Sequence, residues 1–202
     1  VVSGCRKKLF SVGIKADKFV PVSAEQQKRL KQKYGFDPSK PLVIHVGHCS
    51  TWRGLEDFAK IHAAQRMVAA SGMFEDKNVV RTLTEAGVKI HSGYLENVEE
   101  IYQMADAYLF PTRSTEFVIS IPLSVMEELS CGVPVIGYKS FENLHAIASF
   151  PGAITLIDSA EQLDGILSEV IKKKSSHSLL EKADSWDDVA RNVLQMVQEE
   201  NT

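Results

Sequence analysis

Pro41-Leu-Val-Ile-His-Val-Gly47 is a short, apolar, β-rich run closed by glycine. Such a run is expected of a strand in a parallel sheet, where neither side of the pleat meets water. Outward from it the chain alternates. Upstream, Ser23-Ala-Glu-Gln26 is a capping-box pattern, and the polar run behind it ends at Gly35, which predicts a surface helix over about 24–34. Downstream, the periodicity predicts helices at 54–65, 76–86, 97–104, 123–130, 141–148, 159–172 and 186–199. Between them lie short apolar runs at 66–71, 88–92, 106–111, 133–138 and 153–157. Strands alternating with helices mean βαβ units, so the fold class is α/β, a doubly wound parallel sheet flanked by helices. Ligands of such sheets sit beyond the carboxyl ends of the strands, which directs attention to the loops after Gly47, Ser71, Gly93, Pro111 and Gly137.

The 202 residues, 44% hydrophobic and 24% charged, suit one globular domain with a full core. No run of about 18 apolar residues is present, and Val1 to Phe10 lack the apolar stretch of a secretory signal. The chain opens on Val1 rather than Met and reads as a piece of a longer protein. Three scattered cysteines, Cys5, Cys49 and Cys131, argue against a disulfide framework or a zinc site and for a reducing, cytoplasmic setting. Residues 1–40 carry a net charge of +7 and the remainder −10. A mainly acidic body argues against nucleic acid as a partner. The basic head has two readings, a solvated helix face around Lys28, Arg29, Lys31 and Lys33 or a peripheral contact with an anionic membrane surface.

Two loops carry candidate chemistry. In Gly47-His-Cys-Ser-Thr-Trp-Arg53-Gly54, the glycines let backbone amides approach an anion and Arg53 offers a two-pronged donor to phosphate. After the long connection from Pro111, Pro122 suits the first position of a helix whose next amides, at Leu123 to Val125, face the cleft. Glu127 shares a face with Ser124, and a carboxylate there accepts two hydroxyl hydrogen bonds from a sugar or ribose; the alternative is two solvated glutamates, Glu127 and Glu128. His45 and His48 fall on opposite faces of one strand and do not chelate together. They, like the other histidines, read as satisfied packing or surface residues, and Trp52 and Trp186 as anchors. No Asp-x-Asp pair follows a strand, so no metal ligands are expected.

Taken together, these residues resemble the group 1 glycosyltransferases of the GT-B fold, in particular their C-terminal, Rossmann-like, nucleotide-sugar-binding half. PLVIHVGHCSTWRGL resembles the family's "lVGRl…KGl", VKIHSGYLENVEEIYQMADAYLFPT its "flGyl…lY..ADv.l.PS", and VMEELSCGVPVIGY its "llEAmAcGtPVVa". The segment Gly13-Ile14 to Phe19-Val-Pro21 resembles the linker into that half, and Ser185-Trp186-Asp187 the start of its last helix. The resemblance implies that residues 1–20 cross from an N-terminal, acceptor-binding domain and that 21–202 form the donor-binding domain.

It also implies a retaining, metal-independent transfer of a sugar from a UDP- or GDP-sugar to a carbohydrate or lipid-linked acceptor, in envelope or capsular polysaccharide synthesis. No cofactor is implied, the nucleotide sugar being the co-substrate. By position, His48 and Arg53, with Gly47, hold the diphosphate, Tyr94 and Leu95 the base, Leu123 and Ser124 the diphosphate through the helix start, and Glu127 the ribose. The family's first motif glutamate would fall on Ile119; Glu116, three residues upstream, is taken as the donor-sugar partner and, with Arg53, as a catalytic residue, against a solvent-exposed loop glutamate. The competing function is a non-catalytic binding or scaffold domain that keeps this fold with a decayed site.

Overall fold

The computed structural model describes residues 12–73, 75–116, 118, 121–147 and 149–200. Six parallel strands form one sheet: β1 (Leu42–Gly47), β2 (Gln65–Ala70), β3 (Lys89–Ser92), β4 (Ala107–Phe110), β5 (Val135–Tyr138) and β6 (Ile154–Ile157), in the order β3-β2-β1-β4-β5-β6. The helices are α1 (Ala24–Lys33), α2 (Lys77–Glu85), α3 (Val98–Met104), α4 (Leu123–Ser130), α5 (Leu163–Ile171) and α6 (Trp186–Glu200). The doubly wound α/β fold expected from the alternation is the one found.

Because side chains alternate along a strand, the central strands β1, β4 and β5 feed two cores. Leu42, Ile44, Tyr108, Phe110 and Val135 pack beneath α1, α3 and α4 with Leu30, Ile101 and Leu129. Val43, Ala107, Leu109 and Ile136 pack on the other face beneath α2 and α5 with Leu83 and Leu167. Helix starts follow local capping. Ser23 Oγ accepts the Gln26 amide at 3.2 Å, and Asp76 accepts those of Asn78 and Val79. Residues 12–20 lie against this body: Ile14 donates to the Asp184 carbonyl at 2.9 Å, and the Phe19 ring meets Tyr102 edge-on at 5.6 Å.

Two expected helices are not α-helical. The 54–65 segment is a 3-10 turn at Leu55–Lys60, because the amides of His62 and Ala63 turn away to the Asp164 carboxylate at 2.9 and 3.1 Å. The 141–148 segment is a 3-10 turn at Glu142–Ala146, held by three-residue bonds from Leu144 to Phe141 and from Ile147 to Leu144; Ala148 lies outside the described residues. Pro122 is the cap of α4 rather than its first residue, and Val125 donates to its carbonyl at 3.1 Å.

Candidate donor-binding site

The order β3-β2-β1-β4-β5-β6 reverses between β1 and β4, and there the strands separate. The β1–β2 ladder runs to Gly47 and Ala70, whereas β1–β4 pairing ends at Ile44 and Tyr108. Side chains occupy the gap. Tyr108 Oη lies 3.1 Å from the Val46 carbonyl and 2.9 Å from Ser124 Oγ, tying the end of β1 to the first turn of α4. His45 Nδ1 lies 3.1 Å from the Leu109 carbonyl.

Above the ends of β1, β2 and β3 is a cavity of about 390 Å³, lined among others by Gly47, His48, Ala70, Gly93, Tyr94 and Leu95. Four of the expected ligand residues, Gly47, His48, Tyr94 and Leu95, therefore stand around one space. Tyr94 is 88% exposed, its ring free to meet a planar ligand. Arg53 closes the loop after β1 in a 3-10 turn (Thr51–Arg53). It is half-buried and makes no ion pair among the described residues, and burial lowers its pKa. A cation left in that state is stabilised by an arriving anion.

Across the switch point, α4 begins at Leu123 and Ser124, whose amides have no acceptor within the helix. One turn on, Glu127 is half-buried and accepts the Tyr102 hydroxyl at 2.8 Å. Burial raises its pKa, opposed by that hydrogen bond and by Lys18. Glu116 is exposed in the loop after β4, and its own amide donates to Ser114 Oγ at 3.2 Å. Ile119 lies outside the described residues.

Three expectations about side chains are corrected. Glu128 is not solvated; it is fully buried with no partner for either oxygen among the described residues. Trp52 and Trp186 are not buried anchors, being 65% and 50% exposed. His48 lies beyond the end of β1, and His45 is buried but not fully satisfied, since its Nε2 has no partner among the described residues. Cys49 is buried, which pushes its thiol up to about 11 and away from nucleophilic use.

A second set of residues escaped sequence reasoning. Asp57 accepts both Arg113 Nη2 and Tyr138 Oη at 2.6 Å, and the Arg113 guanidinium lies 3.9 Å from the Tyr138 ring centre. This knot pins the start of the loop after β4 to the turn after β1. It brings together residues 56 and 81 positions apart, so no local pattern marks it.

A sequence profile of the family described as "Glycosyl transferases group 1" matches residues 26–193. The chain belongs to the group 1 glycosyl transferases. Among curated relatives, the sulfoquinovosyl transferase SQD2 of Arabidopsis thaliana is 26% identical over 137 residues, covering 66% of this chain and 26% of that protein. The alpha-galactosylglucosyldiacylglycerol synthase of Streptococcus pneumoniae is 23% identical over 135 residues, covering 61% of this chain and 35% of its own. The chain thus spans a quarter to about a third of these relatives.

Among solved structures, Anabaena Alr3699/HepE in complex with UDP-glucose superposes with a TM-score of 0.72 at 14% identity, over 93% of this chain and 56% of that one. The C-terminal domain of a group 1 protein (LpcC) from Francisella tularensis gives 0.59 at 15% identity, over 90% and 98%. These likenesses establish the GT-B type of fold for this group 1 glycosyl transferase chain.

Proposed function

We propose that this chain is the donor-binding half of a group 1 glycosyl transferase, taking a nucleoside-diphosphate sugar for retaining, metal-independent transfer to a carbohydrate or lipid-linked acceptor. The observation that carries the reading is the clustering of Gly47, His48, Tyr94 and Leu95 around one cavity, with half-buried Arg53 at its loop and the start of α4 across the switch point. In this reading the base lies along Gly93 to Leu95. Glu127 accepts the ribose hydroxyls, and the Tyr102 bond at 2.8 Å sets the orientation of its carboxylate. The diphosphate sits over Gly47, between His48, Arg53 and the amides of Leu123 and Ser124.

Transfer in this scheme is mostly positioning and charge stabilisation. As the sugar departs, negative charge grows on the diphosphate, and donors already aimed at it lower the barrier without reorganising. Arg53 supplies charge, the helix start supplies dipole, and Glu116 reaches the donor sugar from the loop after β4.

The acceptor site belongs to the part of the longer protein beyond this chain, entered through residues 1–20. Two features support this. The bridge between Ile14 and Ser185 brings the incoming segment against the start of α6. On α6, Trp186, Leu194 and Val197 are 50–61% exposed, an apolar face suited to cover by another domain. The pneumococcal relative is named for a diacylglycerol product, which supports a lipid-linked acceptor and a peripheral membrane location; the cytoplasmic face is the side proposed. No helix among the described residues is long and apolar enough to cross a membrane. An envelope or capsular polysaccharide is the carbohydrate alternative.

The test is thermal shift with UDP-, GDP- and ADP-sugars. A ligand at about 100 times its Kd adds about 2.7 kcal/mol of stability. One of the three is expected to shift the transition, and no shift from any of them overturns the donor reading. Activity of the full-length protein against Glu116→Ala and Glu127→Ala separates a working transferase from a binding scaffold.

A further inference from the structure

His45 occupies a place that its neighbours in sequence do not explain. It stands where β1 and β4 part, is 1% exposed, and lies with its ring centre 5.6 Å from that of Tyr108. Its Nδ1 is 3.1 Å from the Leu109 carbonyl. A carbonyl only accepts, so Nδ1 carries the hydrogen and Nε2 of the neutral ring is a bare lone pair.

That lone pair is buried and has no partner among the described residues. Its direction is given by Gly47: a Cβ built on that residue would stand 2.7 Å from Nε2, nearer than to any other ring atom. The imidazole therefore points along the strand toward its carboxyl end and fills the space of the missing side chain. Only glycine at 47 lets the ring stand there, and Gly47 itself lines the cavity.

We propose that His45 is a ligand of the donor's diphosphate that takes up one proton as the nucleotide sugar binds. The imidazolium so formed donates from Nδ1 to Leu109 and from Nε2 to a phosphate oxygen. The proton comes from solution and returns to it when the diphosphate leaves. This inference rests on the donor reading above.

The groups facing the ring make the uptake conditional on the ligand. Burial first, and then the electrostatic influence of Arg53 and His48, push its pKa down to about 4, against the bond to Leu109. From β4 the facing group is Tyr108, whose hydroxyl is engaged with Ser124 and the Val46 carbonyl. A diphosphate placed among Arg53, His48 and Gly47 reverses the sign of the local charge, and the same buried ring then favours its protonated form. A buried imidazolium bonded to phosphate makes a charge-assisted hydrogen bond at the end of the strand, where an uncharged ring would present a lone pair to an anion.

The test is calorimetric titration of the 202-residue chain with UDP-glucose, GDP-mannose and ADP-glucose at pH 6.5, in two buffers of different ionisation heat. The diphosphate of a nucleotide sugar is a diester that does not titrate near this pH, so a counted proton belongs to the protein. The expected result is uptake of at least about half a proton per ligand, with affinity rising as pH falls from 8 to 6. His45→Gln is expected to bind about tenfold more weakly, as loss of one charge-assisted bond implies, and without uptake. His48→Ala is expected to keep the uptake. Imidazole nitrogen NMR of the unmutated chain, which needs no folded variant, is expected to show an Nδ1–H tautomer without ligand and an imidazolium with it. Binding without proton uptake, or uptake that survives His45→Gln, overturns the proposal and leaves the donor reading standing. No binding by any of the three overturns both.

Discussion

Tyr102 on α3 donates its hydroxyl hydrogen to Glu127 Oε2 on α4 across 2.8 Å, and the bond holds a half-buried carboxylate in one orientation. It also opposes the upward push that burial gives the Glu127 pKa. An acceptor for ribose hydroxyls has to be ionised, so affinity for a nucleotide sugar is expected to fall as pH drops through the raised Glu127 pKa.

Tyr102→Phe keeps the ring against Phe19 and removes that bond. Nucleotide-sugar binding is then expected to weaken several-fold, with its acid midpoint moved to higher pH, as measured by titration between pH 4.5 and 8. An unchanged midpoint would show that Tyr102 does not govern the carboxylate.

Tyr108→Phe cuts the link between Val46 and Ser124. Each net hydrogen bond contributes about 0.5–1.5 kcal/mol, and a buried partner left unpaired costs more. Denaturant unfolding is expected to show a loss of about 1–2 kcal/mol. Crystallography of the variant is expected to show the first turn of α4 displaced from β1.

Much of this was legible in the sequence, and the division follows the range of the physics. Strands such as 42–47 and 107–110 announce themselves because burial on both faces demands continuous apolar runs. The loops after β1 and β4 were legible as places, because Gly47 closes one strand and Pro122 caps the start of α4. The Leu55–Lys60 turn was not, since the amides that end it go to Asp164, about a hundred residues away. Nor were the contacts of His45, Tyr102 and Arg113, whose partners lie 64, 25 and 56 residues away.

Glu128 sits fully buried with neither oxygen partnered among the described residues, and burial holds its pKa well above the ordinary range, with Lys174 the main opposing charge. A raised folded-state pKa means that stability present below the unfolded value, about 4.3, is lost as pH rises toward the folded one. The protein is therefore expected to lose stability through this residue as pH rises above that unfolded value. Glu128→Gln is expected to flatten that slope in denaturant titrations. Equal slopes in the two proteins would place the pH dependence elsewhere.

Gly132 ends α4 at φ +74, and a Cβ there would meet the Ser175 carbonyl oxygen at 2.3 Å and that of His177 at 2.9 Å. Gly132→Ala combines a left-handed conformation with a backbone clash, for an expected loss of at least about 2 kcal/mol. At about 2–4 °C per kcal/mol, calorimetry is expected to show Tm lower by at least about 4 °C.

The central claim is tested most directly by a crystal structure of this chain with a nucleotide sugar bound. The account predicts the base along Gly93 to Leu95, the ribose on Glu127, and the diphosphate over Gly47 within reach of Arg53 and His45 Nε2. A nucleotide sugar bound away from the carboxyl ends of β1 and β4 would contradict it.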